Sequence, residues 1–180
     1  MTTTIYLIRH GQTDWNKQQI FRGRKDIPLN ERGREEAEAL SKHLASVRFT
    51  AAYASPLSRS FETAEIVARP HGLAVQVDEG MIDINYGVWE GLSDERVKKR
   101  FPALHEEWRS QPHRVRFPGG ESLTMVKRRA LKSIEELAAK HPGETVFVVS
   151  HRAITKVIMC AMLALSNKSF WKIIQDNCAY

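Results

Sequence analysis

Four short apolar runs divide this chain: Ile5-Tyr6-Leu7-Ile8, "AAYA" at Ala51–Ala54, "LAVQV" at 73–77 and "TVFVV" at 145–149. Each is too brief for a helix and is bounded by turn formers or charge, as expected of buried strands. Between them the period lengthens. Over residues 30–47, Ala37, Leu40, Leu44 and Val47 form one stripe at helical spacing behind Asn30, a good N-cap. Ser55 and Pro56 sit where an N-cap and a first-turn proline belong, opening a helix through Leu57, Phe61, Ala64 and Val67. A longer stripe, Leu123, Val126, Ala130, Ile134 and Leu137, precedes the last strand. This alternation predicts an α/β fold: a three-layer sandwich with a mostly parallel central sheet and helices on both faces.

From residue 81 to about 120 the periodicity breaks into short helical pieces separated by Pro102, Pro112 and Pro118, with Trp89 and Trp108 as large apolar anchors. We read this stretch as an insertion over the sheet, within a single domain covering 1–180. At 180 residues the chain can bury roughly two thirds of its unfolded surface, so it needs no staple. Cys160 and Cys178 lie far apart with no metal-ligand spacing, which suggests no disulfide framework, no zinc site and a cytoplasmic setting. The run "AITKVIMCAMLAL" at 153–165 contains Lys156 and is too short to cross a bilayer; it reads as a core helix.

Twenty-seven Lys and Arg against 21 Asp and Glu give a net charge of +6, which favours an anionic partner. The clusters "RVKKR" (96–100) and "KRR" (127–129) could touch nucleic acid, but helical charge runs of this size are mostly solvated faces and no nucleic-acid fold signature accompanies them, so none is expected.

The polar residues at the strand ends are more telling. The first strand stops at Arg9-His10-Gly11, the second leads into a helix bearing Arg59, and the last ends at His151. Taken singly, His10 terminates a strand, Arg59 is an exposed helix residue and His151 a satisfied core histidine. In a parallel sheet all three fall on one edge, where ligands bind in such folds. Two guanidiniums and two imidazoles there, beside a helix N-terminus, suit a phosphate or another compact dianion, and no carboxylate cage for a metal is evident. Fixed cations push a neighbouring histidine toward its neutral, nucleophilic form, so His10 is a candidate to attack phosphorus directly.

With these residues in view, "YLIRHGQTDWN", "GRKDIPLNERGREEA", "ASPLSRSFETAEIV", "IDINYGVWEGLS", "PGGES" and "VFVVSH" together resemble the histidine phosphatase superfamily, the phosphoglycerate mutase-like group, over nearly the whole chain. The resemblance implies a phosphohistidine on His10, a phosphoryl group held by Arg9, Arg59 and His151, a hydrogen bond from Asn16, Thr13 nearby, and Gly11 letting the backbone pass closely. For Thr13 and Asn16 a turn cap is an equal alternative. It implies no cofactor and a small phosphorylated metabolite as the partner.

The chain departs from the family pattern in three places. Asp83 stands where relatives carry a glutamate acid, with Glu90 as runner-up; Arg152 replaces the usual Gly after the second histidine, adding a cation at the mouth; and "QDNCAY" ends where another strand is common, so the sheet is expected to lack an edge or the chain to be truncated. "GVWEGLS" favours hydrolysis of a phosphomonoester over cofactor-dependent phosphoglycerate mutase activity. α-Ribazole phosphate is one specific substrate to consider, and a non-catalytic phosphate-binding or protein-interaction module is the alternative from another class.

Overall fold

The computed structural model describes residues 1–180. Its centre is a four-stranded parallel sheet of β1 (Thr4–Arg9), β2 (Ala51–Ala54), β3 (Val75–Val77) and β4 (Thr145–Ser150), in the order β1-β4-β2-β3. β4 joins the two halves: Arg9 lies opposite Ser150, and Ala54 opposite Val149. Period-2 alternation divides the strand residues between two cores, as a sheet buried on both faces requires. Ile8, Ala52, Ala54, Phe147 and Val149 pack under α2 (Glu31–Leu44) and α3 (Ser58–Ala68). Ala51, Tyr53, Val146 and Val148 face α6 (Leu123–Lys140) and α7 (Arg152–Met162). The expected three-layer sandwich is therefore observed.

Short helices fill the remainder: α1 (Asp14–Lys17) after β1, then α4 (Asp94–Arg100) and α5 (Pro102–Ser110) with 3₁₀ turns in the 81–120 stretch. That stretch is fastened from within. Trp89 and Trp108 are both buried and meet Phe117 edge-on at 5.0 and 5.1 Å between ring centroids.

Two local expectations need correction. Ser55 does not cap α3; the helix starts at Ser58, whose backbone N–H and hydroxyl donate to Asp26 Oδ1 at 2.8 and 2.7 Å. A carboxylate from the loop before α2 thus meets the positive helix end, which is not left free for a ligand. The 153–165 run is core only as far as Cys160, because Met162 and Leu163 emerge 62% and 61% exposed beyond the packed turn. As expected, no further strand continues the sheet past β1, although at its C-terminal end Arg9 N–H donates to the Ala179 carbonyl and Cys178 N–H donates to the Arg9 carbonyl, both at 3.0 Å. No helix is long and apolar enough to cross a membrane.

Candidate active site

Strand geometry delivers the first imidazole. β1 runs through the core and His10 is the residue just beyond it, fully buried, with its backbone N–H on the Ser150 carbonyl at 3.0 Å. Gly11 follows because α2 lies too close for a side chain: a Cβ there would come within 2.4 Å of the Gly33 carbonyl oxygen, and one on Gly33 within 2.1 Å of that of Gln12. His10 Nδ1 lies 2.6 Å from the Gly11 carbonyl oxygen, which can only accept. The neutral ring therefore carries its proton on Nδ1, and Nε2 is left as a bare lone pair, buried and without a partner. Burial, and after it Arg59, Arg22 and Arg9, hold the His10 pKa well below the ordinary histidine value.

β4 delivers the second imidazole in the same way. His151 is fully buried, its ring centroid 5.2 Å from that of His10. Its Nε2 is engaged by Ser55 Oγ at 2.7 Å, so the Ser55 side chain is drawn to the imidazole and not to the helix. Nδ1 is left without a hydrogen bond, 3.7 Å from Asp83 Oδ2. Burial and then Arg59 again hold this pKa well below the usual range.

Around the two rings stand guanidiniums. Arg59 is fully buried; it donates to the carbonyls of Lys25 and Gly23 at 2.9 Å each and to Asp83 Oδ2 at 3.2 Å. Arg9 donates to the Gln175 carbonyl at 2.6 Å. Burial, aided by Arg152 and Arg22, brings the Arg9 pKa down to about 10. Arg22 is a third member that the sequence reading did not single out. Its pKa too is lowered to about 10, by burial, and it acts on both imidazoles. The only hint was its place between Phe21, which packs on Trp89 and Tyr86, and Gly23, whose carbonyl holds Arg59. The Nε of all three arginines, His10 Nε2 and His151 Nδ1 are buried without partners. Such a concentration of unsatisfied, mostly cationic groups is costly unless an anion completes it.

The other expected residues divide. Asp83 is buried in the site, beside Arg59 and His151. Glu90 is not: its Oε1 accepts the N–H groups of Arg24 and Tyr86 at 3.0 and 3.2 Å, a loop-bracing role. Thr13 is the N-cap of α1 in a full capping box with Asn16. Asn16 Oδ1 is occupied by that box, but the residue lines a cleft that Arg9 and Asp83 also line. So does Arg152, exposed at the first turn of α7, its guanidinium 6.0 Å from the Trp171 ring centroid. The cleft encloses about 980 Å³, ample for a metabolite. No group of three or more His, Cys, Asp or Glu is placed to hold a metal ion.

A parallel α/β sheet whose catalytic edge gathers two neutral imidazoles and three guanidiniums defines a phosphoryl-handling protein. Comparison with known proteins makes the class specific. The model of the histidine phosphatase superfamily, branch 1, matches residues 5–180, and the chain belongs to that family. It is 35% identical over 176 residues to phosphoserine phosphatase 1 of Hydrogenobacter thermophilus, covering 98% of this chain and 83% of the relative. Among solved structures it is similar to Bacillus stearothermophilus YhfR, with a TM-score of 0.94 and 34% identity over 98% of this chain and 87% of the other. It is also similar to a mycobacterial glucosyl-3-phosphoglycerate phosphatase complexed with VO3, with a TM-score of 0.88 and 28% identity over 96% and 88%. The chain is a metal-independent phosphomonoester hydrolase acting on a small phosphorylated metabolite.

Proposed function

We propose that His10 Nε2 attacks the phosphorus of a small phosphate ester that carries a second anionic group, a carboxylate above all. The observation that carries the chemistry is the bare Nε2 of a buried neutral imidazole facing buried, unpaired guanidinium nitrogens. The P–O bond to the alcohol breaks as the N–P bond forms, and Asp83 gives its proton to the departing oxygen. Water then attacks the phosphohistidine, returning a proton to Asp83 and releasing phosphate. Arg9, Arg22, Arg59 and His151 hold the equatorial oxygens throughout, so catalysis is positioning plus charge stabilisation. Asn16 contributes its free amide N–H, while Thr13 and Gly11 shape the turn beneath it.

Two observations support the substrate class. Arg22 and Arg152 both line the cleft, so guanidinium charge extends outward from the phosphoryl site. The relatives also act, by their names, on phosphoserine and on glucosyl-3-phosphoglycerate, both carboxylated esters. Free Cys160 and Cys178 accord with a cytoplasmic enzyme.

The test is a screen of phosphoserine, 3-phosphoglycerate, glucosyl-3-phosphoglycerate, α-ribazole phosphate and p-nitrophenyl phosphate, with and without chelator. The carboxylated esters are expected to give the highest kcat/KM, unchanged by chelation. Preference for α-ribazole phosphate would overturn the carboxylate reading, and interconversion of 2- and 3-phosphoglycerate would reinstate mutase activity.

A further inference from the structure

Asp83 lies in residues 80–85, a stretch with no strand or helix ladder beyond one 3₁₀ turn ending at Met81. Such a segment would ordinarily leave its carbonyls to water. Here every carbonyl from Gly80 to Asp83 has a side-chain donor. Arg129 Nη1 reaches those of Gly80 at 2.7 Å and Ile82 at 2.6 Å, Arg129 Nη2 that of Asp83 at 3.1 Å, and Ser150 Oγ that of Met81 at 2.7 Å.

The remaining Arg129 donors go to one carboxylate. Its Nε and Nη2 meet the two oxygens of Glu121 at 3.0 and 3.1 Å, so all five N–H groups of the guanidinium are used. Glu121 reaches the far side of the acid: its Oε2 accepts from Asn85 N–H at 2.9 Å, and its own N–H donates to the Asn85 carbonyl at 2.9 Å. Burial opposes its charge, but the hydrogen bonds from Arg129 and Asn85 outweigh that and hold its pKa below the usual glutamate value. Arg129 therefore fixes the backbone at and before Asp83, Glu121 fixes it after, and the two are tied to each other.

We propose that Arg129, with Glu121, is the positioning residue for the catalytic acid, setting the Asp83 carboxyl where it can reach the leaving oxygen. The inference rests on Asp83 being that acid. An aspartate has one torsion fewer than a glutamate with which to correct a misplaced backbone, so the loop itself must be placed within a fraction of an ångström; an error of about 1 Å costs on the order of a hundredfold. Lysine cannot substitute. Its ammonium is a single point with three donors, whereas these acceptors require the planar fork.

The experiment compares Asp83→Asn, Arg129→Met, Arg129→Lys and Asp83→Asn/Arg129→Met on phosphoserine, whose alkoxide needs a proton, and on p-nitrophenyl phosphate, whose phenolate does not. Arg129→Met and Arg129→Lys are expected to lower kcat/KM, which reports phosphoryl transfer to His10 and not the later hydrolysis, about ten- to a hundredfold on phosphoserine and less than about threefold on p-nitrophenyl phosphate. KM for p-nitrophenyl phosphate and inhibition by vanadate should stay as in the parent. In the double variant, loss of Arg129 should add nothing to the loss from Asp83→Asn on phosphoserine, which a merely structural role would not produce. If Asp83→Asn is selective but Arg129→Met slows both esters alike, or the two losses multiply, the inference is wrong. If Asp83→Asn shows no selectivity, the acid assignment itself falls and takes the inference with it. Should Arg129→Met not fold, Glu121→Gln serves: it should show the same selectivity at about three- to tenfold, and a uniform effect overturns the proposal.

Discussion

The floor and the rim of the cleft carry the same sign of charge under opposite conditions. The floor is the buried layer behind the cleft lining: Arg59, His10 and His151 are fully buried there and Arg9, which reaches the lining, is 6% exposed, each held by backbone or hydroxyl partners. On the rim, Lys17, Arg32, Arg109 and Arg152 are solvated. Buried cations have already lost their hydration, and their field reaches a ligand unscreened by salt; exposed ones are screened and retain water. The same residue type therefore serves two ends. In the proposed mechanism the floor binds what every substrate shares, the phosphoryl group, and the rim discriminates weakly among the alcohols attached to it.

Removing His10, the proposed nucleophile, should show the floor at full strength. His10→Ala is expected to lower kcat at least about a thousandfold on every ester, and acid-labile phosphate should vanish from protein quenched during turnover. Label that persists on the variant would place the phosphoryl group elsewhere.

The floor also depends on the contact between Gly11 and α2. Gly33→Ala drives a methyl group into the Gln12 carbonyl, so we expect about 1–3 kcal/mol of destabilisation by denaturant melts, together with loss of activity in the folded fraction. A neutral result would show that the helix shifts freely and that the close approach does not shape the site.

Protons test the floor without mutation. Both imidazoles have pKa values depressed by folding, so below the ordinary histidine value of about 6.5 the unfolded chain binds more protons than the folded one. Their neutral-state contribution is complete above that pH and is lost as pH falls toward the folded values. The Tm should therefore drop from pH 7 to pH 5, less steeply in His10→Ala, while the acid limb of kcat/KM lies below the ordinary histidine range. A limb at about 6.5 would mean a solvated nucleophile.

The rim should give the smallest effect. Arg152→Gly is expected to raise KM for phosphoserine about three- to fivefold and leave p-nitrophenyl phosphate unaffected, with salt erasing the difference. Equal changes on both esters would remove Arg152 from charge recognition.

What could be read in advance follows from the range of the forces involved. Strands and covering helices were legible because burial on two faces imposes local periods, and Leu123, Val126, Ala130 and Leu137 are all buried as their spacing required. His10, Arg59 and His151 were legible because a parallel sheet puts its strand ends and the turns after them on one edge, whereas Asp83, outside any strand, was legible only through the family resemblance. Arg129 was not. In "KRR" it is indistinguishable from Lys127 and Arg128, and only the facing loop, some 46 to 49 residues earlier, makes it a hydrogen-bonding hub. Ser55 was misread for the same reason, since a local cap and a distant imidazole compete for one hydroxyl. Arg22 gave no periodic signal at all; it is the neighbouring Phe21 that packs on Tyr86 and Trp89 from the 81–120 stretch.

The strand order also governs how the enzyme comes into being. β2, α3 and β3 are contiguous and can pair as soon as they are synthesised, but β1 has no strand partner other than β4, which ends at Ser150. Closing so long a loop is the slow, entropically costly step of such a topology. The pairing of Arg9 with Ser150 brings in His10 and His151 as the next residue on each strand, so the two imidazoles are enclosed in one event. A nascent chain halted before it carries a hydrated, ordinarily basic His10 with no cage around it. Reactivity is thus withheld until the last strand is in place.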